Sequence, residues 1–401
     1  MRRPQLTGNA LDQPMFPTIG IASMTAPKQS TGASVTASSA SAPRPLQESF
    51  SNDKPLVAGR GGLATIQGSN TRKHPHGSHD RTGATNADSE DPDLKALGKR
   101  IGRAHLRRRL GLEQEHEVFS FSRPGAHFFY PENWYSLHAL IRHALRLSGL
   151  YARAQRNTRR IQVLTNRLAI AELPAPFIGQ RILHLSDLHT DLDRRITSAI
   201  AERLQGLQYD LCVLTGDYRA KTFGPYREAL SGLATICSQI GGPIFAVLGN
   251  HDSIRLVPAM EAIGIRVLLN ETETIERGGE RLYLAGIDDA HYYQVHNIDK
   301  VAAAIPEGAA SILLSHTPEV YRHAAYAGFS AMLCGHTHGG QICLPGGAAI
   351  TWDARCPRRL AAGAWRHGDM LGYTSVGTGS SVVPARLNCL PEITLHRLDR
   401  A

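Results

Sequence analysis

Five short clusters between residues 186 and 338 carry side chains of metal-binding type, and each follows a short apolar run. Ser186-Asp187-Leu188-His189 follows Ile182-Leu183-His184-Leu185, and Thr215-Gly216-Asp217 follows Leu211-Cys212-Val213-Leu214. Gly249-Asn250-His251-Asp252 closes the run Ile244-Phe245-Ala246-Val247-Leu248. Ser315-His316 follows Ile312-Leu313-Leu314, and Gly335-His336-Thr337-His338 follows Met332-Leu333-Cys334. His189, His316, His336 and His338, with Asp187, Asp217 and Asn250, offer seven nitrogen and oxygen donors and no thiolate. That is too many for one tetrahedral ion, and manganese, iron, zinc or nickel suits the set better than calcium or magnesium, which prefer all-oxygen shells. Seven donors serve two ions held roughly 3.5–4 Å apart if one carboxylate bridges them, and Asp217 is the expected bridge.

The elements that must position these donors can be read from the same runs. Short apolar runs that end abruptly in small and polar residues mark strands buried on both faces, and open α/β folds gather their ligands where such strands stop. Strands are expected near 181–186, 211–215, 243–248, 265–268, 281–287, 311–315 and 330–334, with helices near 194–206, 225–240, 256–263, 297–304 and 318–327 between them. The alternation argues an α/β layered domain, and late strands near 372–376 and 392–398 suggest a second sheet. His184 sits inside an apolar run and reads as structural.

Taken in order, Asp-x-His, Gly-Asp, Gly-Asn-His-Asp, a lone His and Gly-His-x-His resemble the motifs of the calcineurin-like metallophosphoesterases, over about 174–398. The resemblance implies a four-layer αββα sandwich with a dimetal site at the strand ends. It implies that Asp187, His189, Asp217 and His338 hold one ion, and that Asp217, Asn250, His316 and His336 hold the other. Two such cations acidify a shared water enough to present hydroxide to a phosphorus near neutral pH. His251, oriented by Asp252, is then left to protonate the leaving group. The segment from Thr378-Gly379 to Glu392-Ile393, with Gly339-Gly340-Gln341, is similar to a bacterial membrane-associated branch that includes enzymes cleaving UDP-diacylglucosamine in lipid A synthesis.

One departure touches the second motif. The family often has Asp three residues after Asp217, where this chain has Ala220, so support for the ligands there must come from elsewhere. Arg219 either faces a substrate phosphate or is an exposed arginine at a loop edge. Arg255 and His291 are further candidates for phosphate contact, and the long loop from Leu344 to Gly372 is a candidate wall. Phosphodiester or pyrophosphate cleavage is the leading activity; the alternatives are a phosphomonoesterase and a metal-free binding scaffold of the same fold.

Charge is unevenly spread. Residues 1–180 hold 24 Lys and Arg against 13 Asp and Glu, whereas residues 181–401 hold 20 against 22. A nuclease would carry its positive field around the active-site cleft, so nucleic acid is disfavoured as substrate. Residues 133–171 contain no acid, and Trp134, Leu137, Leu140, Ile141, Ala144, Leu147 and Tyr151 recur at helical spacing among arginines. This basic amphipathic helix can lie in an anionic membrane interface, or pack its apolar stripe on the catalytic domain. Residues 1–98, rich in Ser, Thr, Ala, Gly and Pro, are expected as a disordered tail, with Met15 and Met24 as alternative starts and the tract 74–79 as a solvated histidine run. Residues 99–173 then form a basic, partly helical linker or membrane-interface segment and 174–401 the catalytic domain. No run reaches the roughly 18 apolar residues that span a bilayer, and no signal-peptide pattern is present, so the expected location is cytoplasmic, peripheral on the inner membrane face. Six cysteines without Cys-x-x-Cys spacing are expected as reduced thiols.

Overall fold

The apolar runs become the inner strands of two facing sheets. The computed structural model describes residues 91–122, 135–349 and 351–401. Along the chain the elements are α1 (Pro92–Ile101), α2 (Arg103–Ser122), α3 (Tyr135–Leu147), α4 (Tyr151–Asn157), β1 (Gln162–Ile170), β2 (Arg181–Leu185), α5 (Arg194–Leu204), β3 (Leu211–Leu214), α6 (Arg227–Cys237), β4 (Ile244–Ala246), α7 (Val257–Ala262) and β5 (Ile265–Val267). They continue through β6 (Glu271–Arg277), β7 (Glu280–Gly286), α8 (Ile298–Ala302), β8 (Ser311–Leu314), α9 (Tyr321–Tyr326), β9 (Ala331–Cys334), β10 (Gly363–His367), β11 (Met370–Thr374) and β12 (Glu392–Arg400).

One sheet has the order β1-β12-β2-β3-β4-β5 and the other β10-β11-β9-β8-β7-β6. In the first, β2 to β5 run parallel and β12 is antiparallel to β2; in the second, β7, β8, β9 and β11 are parallel and β6 and β10 flank them antiparallel. Ile182, Val213, Val247 and Leu268 from the first sheet meet Leu284, Ile312, Leu314 and Leu333 from the second in one buried layer. The opposite face of the first sheet is covered by Ile196, Ile200, Leu233, Ile236 and Met260, and that of the second by Ile298, Val301, Tyr321 and Ala324. Helix, sheet, sheet and helix therefore stack as four layers. Strands covered on both faces favour apolar residues throughout, which is why β3 and β9 are uninterrupted runs and β8 is apolar from Ile312 on.

The segment expected as a linker contributes to this fold. β1 pairs in parallel with β12 from Gln162↔Glu392 to Ile170↔Arg400, so the sheet begins well before residue 174. Leu94, Leu97, Ile101 and Leu106 of α1 and α2 join the outer core of the first sheet, so the helical chain starts inside the stretch expected as a tail. The expected basic helix is two, broken at Ser148-Gly149-Leu150, where Gly149 has φ 71°. Leu145 and Ala154 pack on Val383, Ala385 and Leu387, which places one apolar face against the catalytic unit. The loop expected from Leu344 to Gly372 contains β10. Trp134 and the tract 74–79 lie outside the described residues, and the side chain of Leu137 is not described. Among the described residues no helix is long and apolar enough to cross a membrane.

Candidate metal centre

The ligands emerge where parallel strands stop. Asp187 and His189 follow β2, Asp217 follows β3, Asn250 follows β4, His316 follows β8, and His336 and His338 follow β9. Both sheets thus present these ends to one place. Five of the seven residues have left-handed backbone: Asp187 (φ 54°), His189 (42°), Asp217 (59°), His336 (72°) and His338 (49°). Such conformations cost non-glycine residues energy and persist only where surrounding structure enforces them, as functional sites do. Crowding adds to the enforcement: a Cβ at Gly249 would collide with the Asp217 carboxylate, and one at Gly335 with Ser186 and Asp187.

Two groups converge, Asp187–His189–His338 and Asp217–His316–His336, each with its ligand atoms within 4.8 Å of one another. Asp217 lies between them, with Oδ2 3.4 Å from His316 Nε2 and 3.7 Å from His189 Nε2. Asn250 Oδ1 is 2.9 Å from His316 Nε2. His338 Nε2 lies 3.2 Å from His189 Nε2 and 3.3 Å from Asp187 Oδ1.

The donor chemistry fits cations. A carbonyl only accepts, so His189 Nδ1, 2.7 Å from Arg219 O, and His316 Nδ1, 2.7 Å from Thr215 O, must both donate. That tautomer aims each Nε2 into the cluster, the usual arrangement of a metal-binding imidazole. His336 Nε2 is buried with no hydrogen-bond partner. Burial opposes charge on His316, yet Asp217 outweighs it and lifts the imidazole to about 10, so a proton balances the buried acids where a cation would. Burial dominates for His336 and His338 and holds both well below the ordinary histidine value, so their rings are neutral donors. These residues fit two divalent ions.

His251 faces the same centre, with Nε2 3.9 Å from Asp217 Oδ2. Burial brings its imidazole down to about 4. Its partner is Thr222 Oγ1, 3.1 Å from Nδ1. The expectation that Asp252 orients this ring is corrected. The Asp252 carboxylate accepts from the backbone N–H groups of Asp217 (2.8 Å), Tyr218 (2.9 Å) and Gly249 (2.9 Å), and so ties the second motif to the third. This is support that the absent acid at Ala220 leaves to be found elsewhere.

Arg219 is 2% exposed, which removes the reading of an exposed loop arginine. Arg255 points at Glu113, 3.2 Å away. His291 is held by Glu319 at 3.2 Å, and its ring centroid is 4.2 Å from that of His336.

Three contributors were not singled out from sequence. Arg109, fully buried in α2, donates to Asp252 O (2.7 Å) and to Glu113 Oε1 (3.0 Å) and stacks over Tyr293 at 3.5 Å. Glu113 in turn accepts from Ile254 N (2.7 Å) and Ser253 Oγ (2.6 Å), so α2 clamps the loop that carries His251. Arg386, also fully buried, donates to Val376 O (2.8 Å) and Gly379 O (2.7 Å) and lies 3.3 Å from His338 Nδ1. Arg109 ends the run Arg107-Arg108-Arg109 and reads as one of a solvated basic stretch, and a single Glu113 or Arg386 gives no local pattern that marks such a role.

Sequence comparison places the chain among known proteins. The family model described as calcineurin-like phosphoesterase matches residues 180–340. Phosphodiesterase YaeI of Escherichia coli is 31% identical over 255 residues, covering 59% of this chain and 88% of the relative. The metallophosphoesterase YkoQ of Bacillus subtilis is 29% identical over 259 residues, covering 61% and 93%. Among solved structures, the NAD nucleotidase NadN of Haemophilus influenzae is similar over 51% of this chain and 46% of its own, at 15% identity and a TM-score of 0.37.

Proposed function

The chain belongs to the calcineurin-like phosphoesterase family and is a metal-dependent phosphoester hydrolase, and from that premise we propose that it cleaves a phosphodiester or pyrophosphate bond. Asp187, His189, Asp217 and His338 would hold one divalent ion, and Asp217, Asn250, His316 and His336 the other. The observation that carries this is the pair of imidazoles, His189 and His316, each locked by a backbone carbonyl so that both Nε2 atoms face the same Asp217 carboxylate. Bound divalent ions supply Lewis acidity to the phosphoryl oxygens and acidify water.

The chain's own groups do the rest. Thr222 Oγ1 and His251 Nδ1 share a hydrogen bond of 3.1 Å; with the hydroxyl as donor, the uncharged ring carries its proton on Nε2, the nitrogen that faces the centre. There it hydrogen-bonds the departing oxygen as the phosphorus–oxygen bond breaks. Asp252 and Arg109 keep His251 at that distance by fixing its loop. A diester is favoured over a monoester by the likeness to a phosphodiesterase.

The finer proposal is a lipid-linked substrate, such as UDP-diacylglucosamine, met at an anionic membrane surface. α3 supports it: although Leu145 is buried on the catalytic unit, Leu140 is 65% and Leu147 91% exposed, with Arg146 exposed between them. An apolar stripe beside arginines suits an interfacial contact. A manganese-supplemented panel tests the activity. Bis-p-nitrophenyl phosphate should be cleaved in preference to p-nitrophenyl phosphate, and the reverse order would make the protein a monoesterase. UDP-diacylglucosamine in the same panel, and co-sedimentation with anionic vesicles, test the lipid reading. Leu140→Asp/Leu147→Asp should stay in the supernatant, and wild type that never pellets ends it.

A further inference from the structure

A cavity of about 300 Å³ opens beside the metal centre between α2 and the loop after β3. Thr222, the partner of His251, forms part of its wall, so whatever occupies it adjoins the reacting phosphoryl group. Phe223, Tyr226 and Tyr293 give it aromatic sides that suit the organic half of a phosphoester. α2 lies outside the matched family region 180–340, whereas Arg219, Thr222, Phe223, Tyr226 and Tyr293 lie inside it.

The charged groups of the cavity are unevenly satisfied. Glu113 is saturated by Arg109, Arg255, Ser253 and the Ile254 N–H. Arg219 is the opposite case. It is 2% exposed, one N–H donates to Gly224 O (2.9 Å), its Nε is buried with no partner, and no acidic side chain among the described residues pairs with it. A guanidinium has five N–H donors arranged to grip a carboxylate or phosphate with two of them. Taking that charge out of water without a counter-ion is costly, and an anion in the cavity would offset the cost. Glu117, half-buried on the α2 wall, is the acid of the lining with no partner among the described residues, and it sets a limit on how much negative charge the cavity accepts.

We infer that this cavity binds a second anionic group of the substrate, a carboxylate or phosphate carried on one ester half beyond the scissile phosphoryl group, with Arg219 as its receptor. The inference rests on the phosphodiester reading and narrows its substrate class to doubly anionic phosphoesters or pyrophosphates. The Arg219 carbonyl, not its side chain, holds His189, so side-chain substitution leaves that metal-ligand anchor in place.

The test compares bis(4-nitrophenyl) phosphate with bis(3-carboxy-4-nitrophenyl) phosphate on the full chain loaded with manganese. Dividing the wild-type ratio of kcat/KM by that of a variant cancels the intrinsic reactivity of the two esters. Arg219→Gln should lower the ratio by about tenfold or more, the worth of a charge-assisted hydrogen bond, and Arg219→Lys by less. Glu117→Gln should raise it. A ratio unchanged in Arg219→Gln overturns the inference while leaving diester hydrolysis intact. A binding measurement stands apart from turnover: by calorimetry, wild type should hold 5-hydroxy-2-nitrobenzoate more tightly than 4-nitrophenol, and Arg219→Gln should lose the difference. If neither diester is cleaved, the phosphodiester reading falls and the calorimetry still decides the anion site. Equal binding of both phenols by the wild type overturns it.

Discussion

The metal centre has two sides built from different material. The ligand side consists of short loops at the ends of buried strands, where Asp187, His189, Asp217, Asn250, His316, His336 and His338 each sit within a few residues of an apolar run. The bracing side is a helix far upstream, α2, whose Arg109 and Glu113 reach across to Asp252, Ser253 and Ile254. The first side is rigid because each loop is anchored by the strand it leaves and bonded to its neighbour, as Asp187 N is to Gly216 O and His189 N to Asp217 O. The second is rigid because a buried ion pair has every other option removed. Rigidity from sheets is written locally, and rigidity from a clamp is written only in the folded contact.

The comparison can be broken first at the centre of the ligand side. Asp217→Asn should lose both ions together, because its carboxylate is near histidines of both groups, and elemental analysis should find less metal than in Asn250→Ala. Near-full occupancy in Asp217→Asn would show that the carboxylate does not bridge. Next in size, His251→Ala should keep its metal and lose turnover by ~10²–10⁴ on an ester with a poor leaving group, less on a nitrophenyl ester. Metal loss there would make His251 a ligand.

The bracing side should show a smaller catalytic effect. Arg109→Met removes the donor to Asp252 O and should lower turnover on the order of 10–100-fold, as displaced supporting residues around metal sites do. It should also lower the thermal midpoint, since one partner of a buried ion pair is left behind. Glu113→Gln keeps an acceptor for the Ile254 N–H and should cost less turnover and less stability than Arg109→Met; if Arg109→Met keeps full turnover, the clamp does not position His251.

The smallest catalytic effect is expected away from both sides. His184 and His396 face each other at 3.1 Å inside the first sheet, and His184 also meets Thr215 Oγ1 at 2.9 Å. Burial lowers His184 to about 3 and His396 well below the ordinary value. Both are neutral when folded and gain protons when unfolded below the usual histidine value. The stability they permit is therefore present above about pH 6.5 and lost as pH falls toward 3. The thermal midpoint should drop between pH 7 and pH 5, and His396→Phe should flatten that slope while sparing turnover at pH 7.

The legibility of the chain follows the same division. β2, β3, β4, β8 and β9 are visible because strands covered on both faces are mostly apolar, His184 and Ser311 being the buried polar exceptions, and the donors are visible because each lies just after such a run. β1 is not, because it is half-exposed over Gln162–Arg167 and its neighbours are basic, so it falls within the expected linker 99–173. α2 was missed because the residues it buries toward the centre are Arg109 and Glu113, a charged pair in place of an apolar stripe. The mistaken role for Asp252 came from its adjacency to His251. In the folded loop that carboxylate turns the other way, to three N–H groups.

The position of β12 bears on how the protein is made. It lies between β1 and β2, pairing with both, although it follows every other described strand along the chain. While the ribosome is still extending the polypeptide, β1 and β2 are already outside the exit tunnel, β1 without its strand partner and β2 with an open edge. Both expose strand edges that invite wrong partners. A nascent chain of this protein therefore depends on protection until that strand arrives, and a premature stop within 392–400 should yield aggregate in place of a slightly shortened enzyme.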